Sequence, residues 1–91
     1  MSTKKKIQDE VAVLEEVIKQ HEIVLFNDDV NTFDFVIDSL IEVCEHTLEQ
    51  AEQCTILVHY KGKCTVKTGE YNELKPRCTR LLTKGLSAEI I

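Results

Sequence analysis

The stretch from Ile23 to Val36, I-V-L-F-N-D-D-V-N-T-F-D-F-V, constrains this chain more than any other. Its four apolar residues, Ile23 to Phe26, have the pattern of a buried strand. Asn27, Asp28 and Asp29 come next, three side chains that all accept hydrogen bonds. Asn31, with Asp34 three residues later, has the form of a helix N-cap with an acidic third position. Beyond it stand helically spaced apolar residues at Phe33, Val36, Ile37, Leu40, Ile41 and Cys44. A strand, an acidic turn and a helix start are thus fused without a linker. Two carboxylates and an amide beside an apolar helix face suit a ligand that carries a cation next to an apolar group.

The whole chain is enough for one domain with a modest core, at 91 residues of which 43% are hydrophobic. A formal net charge of −5 argues against a phosphate-binding surface, so nucleic acid is not an expected partner. Lys4 to Lys6 form a short basic run, but polar Gln8, Asp9 and Glu10 stand where an apolar segment would have to run. Neither a signal peptide nor a membrane span is expected, and the expected location is the cytoplasm. Cys44, Cys54, Cys64 and Cys78 contain no C-x-x-C pair. They are expected to be free thiols packed as small apolar groups, with no metal and no cofactor.

Residues 1–20 place Ile7, Val11, Leu14 and Ile18 on one side of a helix, among Asp9, Glu10, Glu15 and Glu16. They are expected to form an N-terminal extension, helical or flexible, ahead of a domain over 21–91. After the first helix, Glu45 and His46 form a turn. Thr47 with Gln50 makes a capping box for a second helix carrying Leu48, Ala51, Cys54, Thr55, Leu57 and Val58, which stops at Gly62. On it, Thr55, Val58 and His59 share one face. Cys64 to Lys67 is a short strand turning at Thr68 and Gly69. A third helix carries Leu74, Cys78, Leu81 and Leu82, has Lys84 in its last turn, and ends at Gly85. Pro76 is tolerated if that helix begins near Asn72 and requires a kink if it begins near Gly69. Leu86 to Ile91 is the last strand. The order β-α-α-β-α-β describes an α+β domain with three helices on a small three-stranded sheet.

Three segments carry a family resemblance: V-L-F-N-D-D-V-N-T-F-D-F-V-I-D, then A-E-Q-C-T-I-L-V-H-Y-K-G-K, then T-G-E-Y-N-E-L-K. Together they resemble the ClpS adaptor family over about residues 22–91. The resemblance implies the same fold order and no enzymatic activity. It implies an adaptor that binds proteins whose first residue is large and apolar or aromatic, the N-degron or N-end rule signal. Such proteins are then handed to a ring-shaped Clp AAA+ unfoldase paired with a protease.

By this resemblance Asn27, Asp28, Asp29 and His59 form an acceptor ring for the α-ammonium of a protein N-terminus. His59 is neutral in that role, so affinity is expected to weaken as pH falls through about 6.5, the ordinary imidazole range. Phe33, Val36, Thr55 and Val58 line the hole for the side chain, with Phe26 and Asn31 at its edges. Glu70 and Lys75 face the N-terminal domain of the unfoldase, and residues 1 to about 20 serve delivery.

The chain departs from the family pattern at several positions. Methionine is common where Phe33 and Thr55 stand, and a T-P pair where Asn31 and Thr32 stand. The segment from Gly62 to Glu70 is shorter and lacks a cysteine-glycine pair. A rigid ring and a short hydroxyl side chain reshape the hole. Two other classes fit parts of the chain. One is a non-degradative interaction module resembling the C-terminal domain of the ribosomal stalk protein. The other is a thiol enzyme using Cys54 or Cys64 with His59 and an aspartate.

Overall fold

The apolar run that opens the organising stretch becomes the middle of the sheet. The computed structural model describes residues 20–91; the apolar stripe at Ile7, Val11, Leu14 and Ile18 lies outside them. Strand β1 (His21–Phe26) is flanked by β2 (Lys63–Gly69) and β3 (Ser87–Ile90) in the order β2-β1-β3, both pairings antiparallel. Helices α1 (Phe33–Cys44), α2 (Leu48–Lys61) and α3 (Tyr71–Thr83) complete the order β-α-α-β-α-β. A middle strand has no solvated edge, and Ile23 and Leu25 are accordingly 0% and 1% exposed. They share one core with Val66 of β2, Leu40 and Val43 of α1, Ala51 and Val58 of α2, and Leu74 and Leu81 of α3. This is the expected α+β architecture, three helices contributing to one core over a three-stranded sheet.

Several boundaries fall elsewhere than local patterning places them. Thr32, not Asn31, caps α1, its hydroxyl accepting from the Phe35 amide at 3.2 Å. Strand β2 runs through Thr68 and Gly69 rather than turning there, because β1 pairs with it as far as His21 opposite Gly69. Strand β1 starts at His21 rather than Ile23, and β3 spans Ser87–Ile90 rather than Leu86 to Ile91. Helix α3 begins at Tyr71 after Glu70, whose side chain makes no capping bond. Pro76 therefore sits in the second turn, where it has no N–H to offer the Asn72 carbonyl.

The helix stops are built as the sequence implies, and they place residues that matter later. Thr47 and Gln50 form the reciprocal capping box of α2, with bonds of 3.2 and 2.9 Å. Gly85 takes a φ of 90° past the end of α3. Its amide bonds to Leu82 O at 3.0 Å and the Leu86 amide to Leu81 O at 3.1 Å. With Leu81 and Leu86 both buried, this is a Schellman stop closed by an apolar contact pair. Helix α1 has no basic residue in its own last turn. Arg77 of α3 supplies one, donating to Val43 O at 2.7 Å and to Glu45 at 3.3 Å.

The β1–β2 register slips between Ile23, opposite Lys67, and Val24, opposite Thr65, so Val66 is an inserted bulge residue. His46 Nε2 lies 2.6 Å from the Val66 carbonyl. A carbonyl only accepts, so Nε2 carries the proton, and the buried Nδ1 has no partner among the described residues. His46→Ala is expected to lower the unfolding free energy by about 1–3 kcal/mol, the cost of a buried carbonyl left without its donor. The shift of the urea midpoint measures it.

Candidate functional site

The acidic turn is held by Asp28. Its Oδ1 accepts from the amides of Val30 at 2.9 Å and Asn31 at 2.8 Å, which wraps the backbone around the carboxylate. The Asn31 amide group donates to both Asp28 oxygens, at 3.1 and 3.0 Å, and to the Gly85 carbonyl at 3.0 Å. Asn31 thereby pins the turn to the stop of α3, which is why it does not cap α1. Slight burial pushes the Asp28 carboxyl up, but the Asn31 side chain and the Asn31 and Val30 amides outweigh it. The net position is below the usual carboxylate range, so Asp28 is an anion at neutral pH. Asn27 is tied from the other side, its amide donating to the Gly62 carbonyl at 2.9 Å where α2 ends.

A small hollow, open to solvent, lies beside this turn. It is lined by Asn27, Asp28 and Asn31 of the turn, Phe33 and Val36 of α1, and Thr55, Val58 and His59 of α2. Phe26, Leu25 and Leu86 complete it. Leu25, Val36, Thr55, Val58 and Leu86 are buried, whereas Asn27 and His59 are exposed. Asn27, His59 and the ring of Phe33 therefore stand towards the opening, with Leu25, Val36, Thr55, Val58 and Leu86 below. The Thr55 hydroxyl donates to Ala51 O at 2.7 Å within its own helix. With its donor spent there, Thr55 contributes chiefly its methyl-bearing, apolar character to the wall. His59 meets Phe33 edge to face across the opening, ring centroids 5.2 Å apart at 72°.

Nine of the residues named from the sequence are thus brought together: Asn27, Asp28, His59, Phe33, Val36, Thr55, Val58, Phe26 and Asn31. Asp29 is exposed and is not among the lining residues. Glu70 and Lys75 are exposed at the start of α3, away from the hollow. Sequence reasoning misses Leu25 and Leu86. Leu25 is legible as a strand residue but not as a pocket residue, and Leu86 comes after a helix stop whose geometry turns it inward.

The thiols do not join this site. Neither Cys54 nor Cys64 lines the hollow with His59. Burial, then a hydrogen bond and charge repulsion from Cys64, push the Cys54 thiol far up, and burial alone dominates in lifting Cys44 to about 11. A thiol so protonated at neutral pH is a poor nucleophile. All four cysteines are free. Among the described residues no cluster of three or more His, Cys, Asp or Glu side chains is placed to hold a metal ion, and no helix is long and apolar enough to cross a membrane.

Comparison with known proteins gives a consistent result. The family model described as ATP-dependent Clp protease adaptor protein ClpS matches residues 16–89. The ATP-dependent Clp protease adapter protein ClpS of Sodalis glossinidius is 36% identical over 76 residues, covering 74% of this chain and 72% of that protein. The protein of the same name from Campylobacter jejuni serotype O:23/36 is 39% identical over 54 residues, 57% of this chain and 56% of its own. In that comparison the chain spans little more than half the length of its relative. The solved structure of Agrobacterium tumefaciens ClpS2 bound to L-phenylalaninamide has the same fold, with a TM-score of 0.72 at 18% identity, covering 80% of this chain and 98% of that one. With the family model matching most of the chain and a relative of more than a third identity covered over most of its length, this chain belongs to the ClpS family of ATP-dependent Clp protease adaptor proteins.

Proposed function

We propose that the hollow receives the first residue of a protein whose N-terminus is large and apolar or aromatic, and that the chain delivers such proteins to a Clp unfoldase and its protease. The observation that carries this reading is the placing of ionised Asp28 and the acceptors of Asn27 and His59 in one hollow with the buried apolar side chains of Leu25, Val36, Val58 and Leu86. An α-ammonium brings three donors and a charge, and the side chain on the same carbon enters the space below. L-phenylalaninamide, carried by the Agrobacterium protein of the same fold, has this composition: a free amine and a benzyl group on one carbon. Asp29, the next residue of the turn, adds a second carboxylate to this acceptor group. The exposed charges Glu70 and Lys75 would meet the N-terminal domain of the unfoldase on a separate surface, leaving the hollow open during delivery.

Fluorescence anisotropy with labelled peptides differing only in the first residue tests the reading. Peptides starting with Leu, Phe, Tyr, Trp, Ile or Met are expected to bind and those starting with Arg or Ala are not. Acetylation of the N-terminus removes the charge and is expected to abolish binding. Failure of every free-amine peptide to bind, or equal binding after acetylation, overturns it.

A further inference from the structure

Among the described residues no hydrogen bond fixes the imidazole of His59, in contrast to His46, whose Nε2 is held by Val66 O. What holds the His59 ring is aromatic. Phe33 of α1 meets it at 5.2 Å and 72°, and Tyr60, the next residue of α2, at 4.9 Å and 85°. Both angles are those of edge-to-face packing, in which a ring edge meets a ring face and rotation of either ring breaks the contact. Tyr60 is 76% exposed, whereas Phe33 is more than half covered and belongs to the other helix. Phe33 is therefore the contact that ties the ring to the far wall of the hollow.

We propose that Phe33 is a positioning residue for His59, locking the imidazole so that one ring nitrogen is presented to the α-amine, and not only a lining residue of the side-chain hollow. This rests on the reading of the hollow as an N-terminus site. Its consequence is coupling: the wall that receives the side chain also sets the acceptor that receives the amine. A preorganised acceptor loses less freedom on binding than one that must be ordered by the ligand. In a chain with a flexible residue at 33, the two halves of the ligand would be recognised independently.

Two measurements on the full chain test this. In the free protein, Phe33→Leu is expected to shift the Hδ2 and Hε1 resonances of His59 in NMR spectra, and Phe33→Tyr to restore them. In binding, Phe33→Leu is expected to weaken a free-amine peptide starting with Leu roughly three- to tenfold. In a His59→Ala background the same substitution is expected to cost less than roughly twofold, the non-additivity that marks coupled groups. Unmoved His59 resonances, or an equal loss in both backgrounds, overturn the proposal and leave Phe33 as lining alone. If the unsubstituted chain binds no free-amine peptide, it is the N-terminus reading that fails, and the NMR comparison still decides whether Phe33 holds the ring.

Discussion

Asp28→Ala is expected to weaken binding of a free-amine peptide by about 2–3 kcal/mol, roughly 30- to 150-fold, the cost of losing a charged hydrogen-bond acceptor at a partly desolvated site. The substitution does two things at once. Among the described residues it removes the one carboxylate that lines the hollow, and it releases the amides of Val30 and Asn31 that the carboxylate gathers. Two further variants separate them. Asp28→Asn keeps an acceptor for the turn but no charge, so it is expected to melt close to the parent and still bind poorly. Asn31→Ala keeps the charge but frees the turn from Gly85, so it is expected to bind more weakly by a smaller factor. Titration calorimetry beside thermal melting resolves the three. Equal binding by Asp28→Ala and the parent chain would remove Asp28 from the site.

The same carboxylate sets what acid does. Its pKa in the folded chain is lowered from the ordinary 3.8, so its contribution to stability is complete above that value. The contribution is lost only as pH falls through the lower, folded one. Asp28 therefore remains ionised across the range in which imidazoles take up protons. A loss of affinity that sets in above the carboxylate range is accordingly not expected to come from Asp28.

Leu25→Ala is the substitution expected to act on stability and on selectivity together. Leu25 lies on the middle strand at 1% exposure, packs in the core and also lines the hollow. Truncating a leucine so placed costs about 2–5 kcal/mol, a large part of the 5–15 kcal/mol that holds a small domain folded. The melting temperature is expected to fall steeply. The vacated space adjoins the hollow, so in the fraction that remains folded the order of preference is expected to move towards larger rings. Leu74→Ala provides the control. It is equally buried in the same core but does not line the hollow, so it is expected to lower the melting temperature without changing the order of preference. An unchanged order in Leu25→Ala would show that the side chain does not reach the floor.

Much of the site is legible in the sequence because its chemistry is local. Asn27, Asp28 and Asp29 stand together after an apolar run, and the Thr47–Gln50 box and the Gly62 and Gly85 stops are read from neighbours along the chain. Where local patterning misleads, a distant partner decides. Asn31 and Thr32 are both competent caps, and the choice falls to Thr32 because the Asn31 amide is engaged with Gly85, far along the chain. Turn signals at Thr68 and Gly69 underestimate β2 because a strand lasts as long as its partner pairs with it, and β1 continues to His21. Leu25 and Leu86 look like any core leucine in sequence. Only the packing of β1 against the stop of α3 distinguishes them. The resemblance to the family names most of the lining, and the geometry sets Asp29 outside it.

The two leucines that sequence reasoning misses have a consequence for how the site comes into being. One belongs to the first strand of the described chain and the other precedes the last, so the floor closes only when β3 pairs with β1. Closure over such a separation is entropically costly and is among the later events when a small α/β domain folds. An intermediate containing only the α1–α2 hairpin and the acidic turn holds every acceptor and has no floor. During refolding, peptide capture should therefore lag behind helix formation and coincide with the final burial of the sheet, so that the chain acquires its affinity in a single late step.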